Sequence, residues 1–193
     1  MKRIIAILFV VLPLISCGQP KVNLHDRALE LCQYIPDHVL KPEAKEAMTP
    51  EFFLALSEAF EAPVADFEEL GDNEWLWYFV TGNGGSEPAY SVKSVSQTDK
   101  NTAKAVITVL QKWEDGSETD PEDYEITLKQ IDNQWLLDDF NGKKAECQAY
   151  AREVREKYAT GAYVKYLESY DYLKKYIPEF EAQVKAFYEK YGE

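Results

Sequence analysis

Between Glu74 and Phe140 the apolar residues recur mostly at every second position, and on either side of that stretch they recur at every third or fourth. A period of two belongs to strands, whose successive side chains point to opposite faces. A period near 3.6 belongs to helices. The order helix, sheet, helix predicts the α+β class, with an antiparallel sheet in the middle of the chain.

The strand signals are separate and readable. "EWLWYFV", Glu74 to Val80, sets Trp75, Trp77 and Phe79 against Leu76, Tyr78 and Val80. Both faces are apolar, which predicts a strand covered on both sides or edging a cavity. "TGNGGSEP" is a turn-rich loop. "AYSVKSVSQ" and "NTAKAVITVLQKW" read as strands around a turn at "TDKN", with Ala105, Ile107 and Val109 on one face. After the polar "EDGSETDPED", "YEITLKQI" presents Tyr124, Ile126 and Leu128 together. Asp132-Asn133 is a two-residue hairpin signal, and "QWLLDDF" is the return strand. Unbroken alternation there puts Trp135, Leu137 and Asp139 on one side and Leu136, Asp138 and Phe140 on the other.

Two helices are predicted before the sheet. Leu24, Ala28, Leu31 and Ile35 are helically spaced and Pro36 ends the run. The second helix opens on Thr49 as N-cap, Pro50 at the first helical position and Glu51 in the first turn, with Phe52, Phe53, Leu56 and Phe60 apolar. After the sheet, Lys143 to Tyr158 carries Cys147, Tyr150, Val154 and Tyr158, and Gly161 breaks the pattern. From Tyr163 to Tyr191 apolar residues alternate spacings of three and four, with Pro178 inside the stripe. That predicts two helices or one kinked helix, folded back on the same domain.

The first residues speak to location. Lys2 and Arg3 precede an apolar run from Ile4 to Leu14, too short to span a bilayer and suited to a signal peptide. "LISC", Leu14 to Cys17, resembles the lipobox of bacterial lipoproteins. The resemblance implies cleavage after residue 16, acylation of Cys17 and a tether over residues 17–23. Gly18, Gln19 and Pro20 place no acidic residue straight after the cysteine, which by resemblance to sorting rules implies the outer membrane, facing the periplasm. Paired acyl chains anchor stably where one chain does not.

Of 193 residues, removing 16 leaves 177, a length suited to one domain with a helical appendage. The formal charge of −13 becomes −15 once Lys2 and Arg3 leave. Such a chain repels nucleic acid; solubility explains the charge first and a cationic partner second. Cys32 and Cys147 remain, and a disulfide between them or two buried thiols fit their helical positions equally well. Their separation and the two histidines lack metal-site spacing, so no metal is expected.

"TPEFF", "AKAVITVLQKW" and "YEITLKQIDNQWLLDDF" together resemble the nuclear transport factor 2-like superfamily, within the wider cystatin-like architecture. The likeness covers residues 24–140, is similar to uncharacterised domains of bacterial lipoproteins, and leaves 141–193 as a helical extension. It implies N-terminal helices packed into the concave face of a curved sheet. It also implies that a carboxylate at that pocket's rim can act as a general base, and Asp139 is the residue in that place. An apolar pocket would raise its pKa toward a useful value. His38, between the first two helices, is the other catalytic candidate. Against this, Asp138 and Asp139 fit strand-end residues that cap the turn before Gly142. Trp75, Trp77, Trp135 and Asp139 are the ligand-binding candidates, the aromatics by stacking on a ring or apolar ligand.

The chain lacks a nucleophile elbow, a phosphate-binding glycine loop and a dinucleotide fingerprint, and no cofactor is expected. The leading expectation is a lipid-anchored, non-catalytic domain that binds an envelope protein or a small molecule. The alternatives are an isomerase or dehydratase using a pocket carboxylate, and an immunity-type or structural protein that binds a basic partner.

Overall fold

The computed structural model describes residues 22–36, 40–65, 70–71 and 86–192. The readings that rest on Cys17, His38, Trp75 and Trp77, and the strand expected over Glu74 to Val80, lie outside the described residues.

The protein is α+β. Helices α1 (Leu24–Cys32), α2 (Ala44–Ala47) and α3 (Pro50–Glu61) come first. A two-stranded ribbon, β1 (Val64–Ala65) with β2 (Leu70–Gly71), follows. The main sheet is an antiparallel meander, β3 (Ser86–Gln97), β4 (Thr102–Trp113), β5 (Glu122–Ile131) and β6 (Gln134–Phe140), in that spatial order. Helices α4 (Lys143–Ala159), α5 (Ala162–Glu168) and α6 (Ile177–Tyr191) close the chain, so helices stand on both sides of the sheet in the sequence.

The expected local signals work as physics requires. Asn23 caps α1 by accepting from the His25 amide at 3.1 Å. Thr49 caps α3 by accepting from the Phe52 amide at 3.3 Å, and Pro50 takes the first position, where a missing N–H costs nothing. Pro178 sits in the first turn of α6, so it starts a helix rather than bending one. The β5–β6 turn has Asp132 at φ 48° and Asn133 at φ 65°. Two successive left-handed residues make the turn whose twist matches the strands it joins.

One face of the sheet holds the core. Ala103 and Ala105 of β4 pair with Leu128 and Ile126 of β5, Ile107 and Val109 lie further along the same buried face opposite Tyr124 and Glu122, and Leu31 of α1 packs in this core with Phe52, Ala55 and Leu56 of α3. The small alanines on β4 let the helices sit close to the strand. The opposite face is polar, with Lys104 and Glu125 ion-paired at 2.6 Å and Thr108 donating to Asp123 at 2.6 Å.

Alternation along β6 is broken by a β-bulge. Leu137 pairs with Leu128 and Asp139 pairs with Thr127, which leaves Asp138 as the extra residue. Beyond it the faces exchange, so Trp135, Leu137 and Phe140 all belong to the core while Asp139 turns to the other face. This corrects the unbroken alternation read from the sequence, which had separated Phe140 from Leu137.

The C-terminal helices pack on α3 and the ribbon. Tyr158 donates its hydroxyl to the Pro63 carbonyl. Arg155 pairs with Glu58 at 3.1 Å and lies over the Phe187 and Tyr188 rings at 5.0 and 5.4 Å. Tyr158, Tyr163 and Phe180 meet edge-on or tilted, with centroids 5.5–6.1 Å apart.

The turn yields a test. Asp132→Val, a β-branched residue forced to positive φ, is expected to cost about 1–2 kcal/mol, whereas Asn133→Gly is expected to hold or raise stability. Urea midpoints of the two variants against the parent protein measure both.

Candidate functional site

The aspartate pair sits where β6, α3 and α4 meet. Asp138 is thrown out of register by the bulge, and its Oδ1 accepts from the Thr49 hydroxyl and from the Lys144 ammonium, both at 2.7 Å. Its side chain is only 14% exposed and that of Lys144 21%. Burial pushes the Asp138 carboxyl up, but the hydrogen bonds from Lys144 and Thr49 and the nearby positive charge outweigh it and hold the group below its ordinary range. Asp139 faces the other way. Its two oxygens accept from the Gly142 amide at 2.9 Å and the Lys144 amide at 2.8 Å. Gly142, at φ 84°, has no side chain to cap α4, and Asp139 does that work for it.

Both carboxylates are therefore occupied with structure. Trp135 is 6% exposed and belongs to the core, and its carbonyl accepts from Arg27 Nε at 2.9 Å. The core side of the sheet beside it is filled by α1 and α3. Asp139 thus stands as a helix cap on the opposite face of β6 from Trp135, and no pocket-rim carboxylate is formed by that pair.

Cys32 and Cys147 are both free, fully buried thiols in the same core. Burial pushes each thiol up to about 12, which suppresses the thiolate that oxidation or metal binding needs. Of the two arrangements open in the sequence, the structure has the separate thiols. Among the described residues no three His, Cys, Asp or Glu side chains gather as a metal site, and no helix is long and apolar enough to cross a membrane.

Open space lies among the helices. One cleft, about 580 Å³, runs between α4, α5 and α6 and is walled by Tyr158, Tyr163, Phe180, Val184 and Tyr188. A larger one, about 740 Å³, lies between the segment before α2, the outer side of α3 and the end of α6. Leu40, Phe53, Leu54, Phe60 and Tyr191 line it, with Lys45, Glu61 and Lys190 at its polar edge. Both volumes fall in the range of small-molecule sites. Sequence reasoning placed Phe53 and Phe60 on an apolar helix face without seeing a second cavity. The signal was there in "EFFLALSEAF": three adjacent apolar residues step by 100° each and overfill a single buried stripe.

In comparisons with protein-family models, curated proteins and solved structures, nothing matches this chain.

The Asp138 junction gives a pH prediction. Its folded-state carboxyl lies below the unfolded value, so its stabilisation is present above the ordinary carboxylate range near pH ~4 and is lost as pH falls through the lower folded value. Asp138→Asn leaves Lys144 without its counter-charge and is expected to cost about 1–3 kcal/mol at pH 7. The gap between variant and parent should close on acidification, as read from urea unfolding at pH 2–7. The thiols give a second prediction: an aromatic disulfide reagent should leave Cys32 and Cys147 untouched in the native protein and modify both in urea. A bonded pair would stay silent in urea as well.

Proposed function

We propose that this is a lipid-anchored protein of the bacterial cell envelope whose domain binds a ligand without performing chemistry on it. The observation that carries the reading is the division of labour just described. The acidic pair is committed to holding helices, while open apolar clefts stand elsewhere on the helical side. Anchoring rests on the lipobox resemblance at Cys17, with residues 1–16 as the signal peptide and the outer membrane, facing the periplasm, as its destination.

The nuclear transport factor 2-like assignment over residues 24–140 is part of the same proposal. It is supported by two helices laid against one face of an antiparallel meander. The filled core face weighs against a dehydratase or isomerase of that kind. The alternative of a basic protein partner is not favoured at the sheet's outer face, where Lys93 and Lys104 already pair with Asp123 and Glu125. Such matched pairs do not make a one-signed field.

Expression of the parent protein and Cys17→Ser in a Gram-negative host tests the anchor. The parent is expected to incorporate labelled palmitate and to stay with membranes through a high-salt wash, and the variant to do neither. A parent chain that washes free and takes up no label would overturn the anchored reading.

A further inference from the structure

Helix α3 is apolar on two sides. Phe52, Ala55, Leu56 and Ala59 face the sheet and are buried. Phe53, Leu54 and Phe60 look into the larger cleft, where Leu54 keeps 50% of its surface exposed. Leu54 does not stand alone there, since Phe53 and Phe60 line the same cleft, and a contiguous apolar wall rather than a single exposed residue is what marks a surface for a ligand.

The edge of this cleft is not charge-neutral. Lys190 is matched by Glu61, whose Oε1 accepts from it at 2.8 Å. Lys45, at the end of α2, is exposed, and no ion pair or hydrogen bond engages its ammonium among the described residues. In a chain with 34 acidic residues against 21 basic ones, a cation left over beside an apolar cleft is a specific asymmetry. Among the described residues that line the cleft, Lys45, Lys190 and Glu61 leave one positive charge in excess, while Glu43 and Glu46, on either side of Lys45 in the chain, are outside that lining. Apolar lining together with that charge is the complement of an amphiphile with an anionic head.

Size separates this occupant from a protein. Among the described residues, eleven line the cleft. A standard protein–protein interface uses about 20–30 residues on each side, whereas a volume of about 740 Å³ suits a small ligand.

We propose that the cleft between α2, α3 and α6 binds a single-chain amphiphile with an anionic head group. The chain lies on Phe53, Leu54 and Phe60, and the head group sits by Lys45. The site deepens the ligand-binding reading above and rests on it for the source of the ligand. The same chemistry is offered by a free long-chain carboxylate and by a lysophospholipid from the membrane.

The test uses the full chain carrying Cys17→Ser, which removes the acylation point alone, and sodium dodecanoate below its micellar concentration, followed by calorimetry. One equivalent should bind with a saturable heat. Decanoate, two methylenes shorter, should bind about fifteenfold more weakly, since each buried methylene contributes about a factor of four. Leu54→Asp, at a half-exposed position, should weaken dodecanoate at least tenfold. Lys45→Gln should weaken it about fivefold in low salt and less in 0.5 M sodium chloride. If Leu54→Asp does not fold by its unfolding midpoint, the rim variant carries the test alone.

Absence of saturable heat, or variants that bind like the parent, would overturn the proposal, as would a cleft that takes up a protein segment and ignores dodecanoate. Mass spectrometry of an organic extract of the anchored parent protein separates the two sources. A free carboxylate or a lysophospholipid at near one equivalent supports the site and names its origin. Failure to bind dodecanoate with the anchor intact would remove this ligand class and leave the anchored reading standing. Failure of the anchor would leave the calorimetry as it is.

Discussion

The hydrogen-bonded carboxylate of Asp138 is the point on which the arrangement of helices depends. It accepts hydrogen bonds from the first residue outside α3 and from the second residue of α4, at 2.7 Å each. Thr49 is fully buried, and its hydroxyl both accepts from the Phe52 amide and donates to Asp138. Its own amide donates to the Leu137 carbonyl at 2.9 Å, beside an isolated bridge between Met48 and Leu137. One strand end therefore fixes where two helices begin. A carboxylate near two helix N-termini is also favourably placed in their dipoles. Without the bulge, Asp138 would alternate onto one face of the sheet and could not reach both.

From that junction the rest follows by geometry. Once α3 starts at Thr49, its turns bring Phe52, Ala55, Leu56 and Ala59 into the same core as the alanines of β4. Once α4 starts at Lys143, its far end carries Arg155 and Tyr158 to α3 and to the ribbon. The tyrosine-rich tail then builds two smaller cores of its own, around Phe187 and around Phe180. One large core against the sheet and two small ones among the C-terminal helices meet along helix edges and leave grooves there. The clefts are the consequence of that division.

The sequence was legible where the determinant is local. Thr49-Pro50, the Asp132-Asn133 turn, the period of two in β4 and β5, and the break at Gly161 all act within a few residues, and each is found where it was read. The bulge at Asp138 was not legible. It depends on Thr49 and Lys144, which are 89 and 6 residues away and come from different elements. Adjacent aspartates look the same in a sequence whether they serve a ladder, a cap or a reaction. Trp135, read as a ligand-binding candidate, lies in the core, and residue type alone does not tell a cavity wall from a packed core. The excess apolar content of α3 could have been counted, and it is the one feature of the cleft that sequence carried openly.

The chain's overall charge and the charge at the cleft rim act over different distances, and this decides what the site can select. A net charge of −13 repels an approaching anion, yet at physiological salt that repulsion decays over about 8 Å. Lys45 acts inside that distance, on a group already brought near by its apolar chain. The apolar floor must therefore supply most of the affinity, and the lysine must decide how the ligand lies. A purely ionic ligand would meet the repulsion without the floor's compensation. A purely apolar one would gain the floor but have no reason to prefer either end of it. Only a molecule with both parts uses what α2 and α3 place side by side.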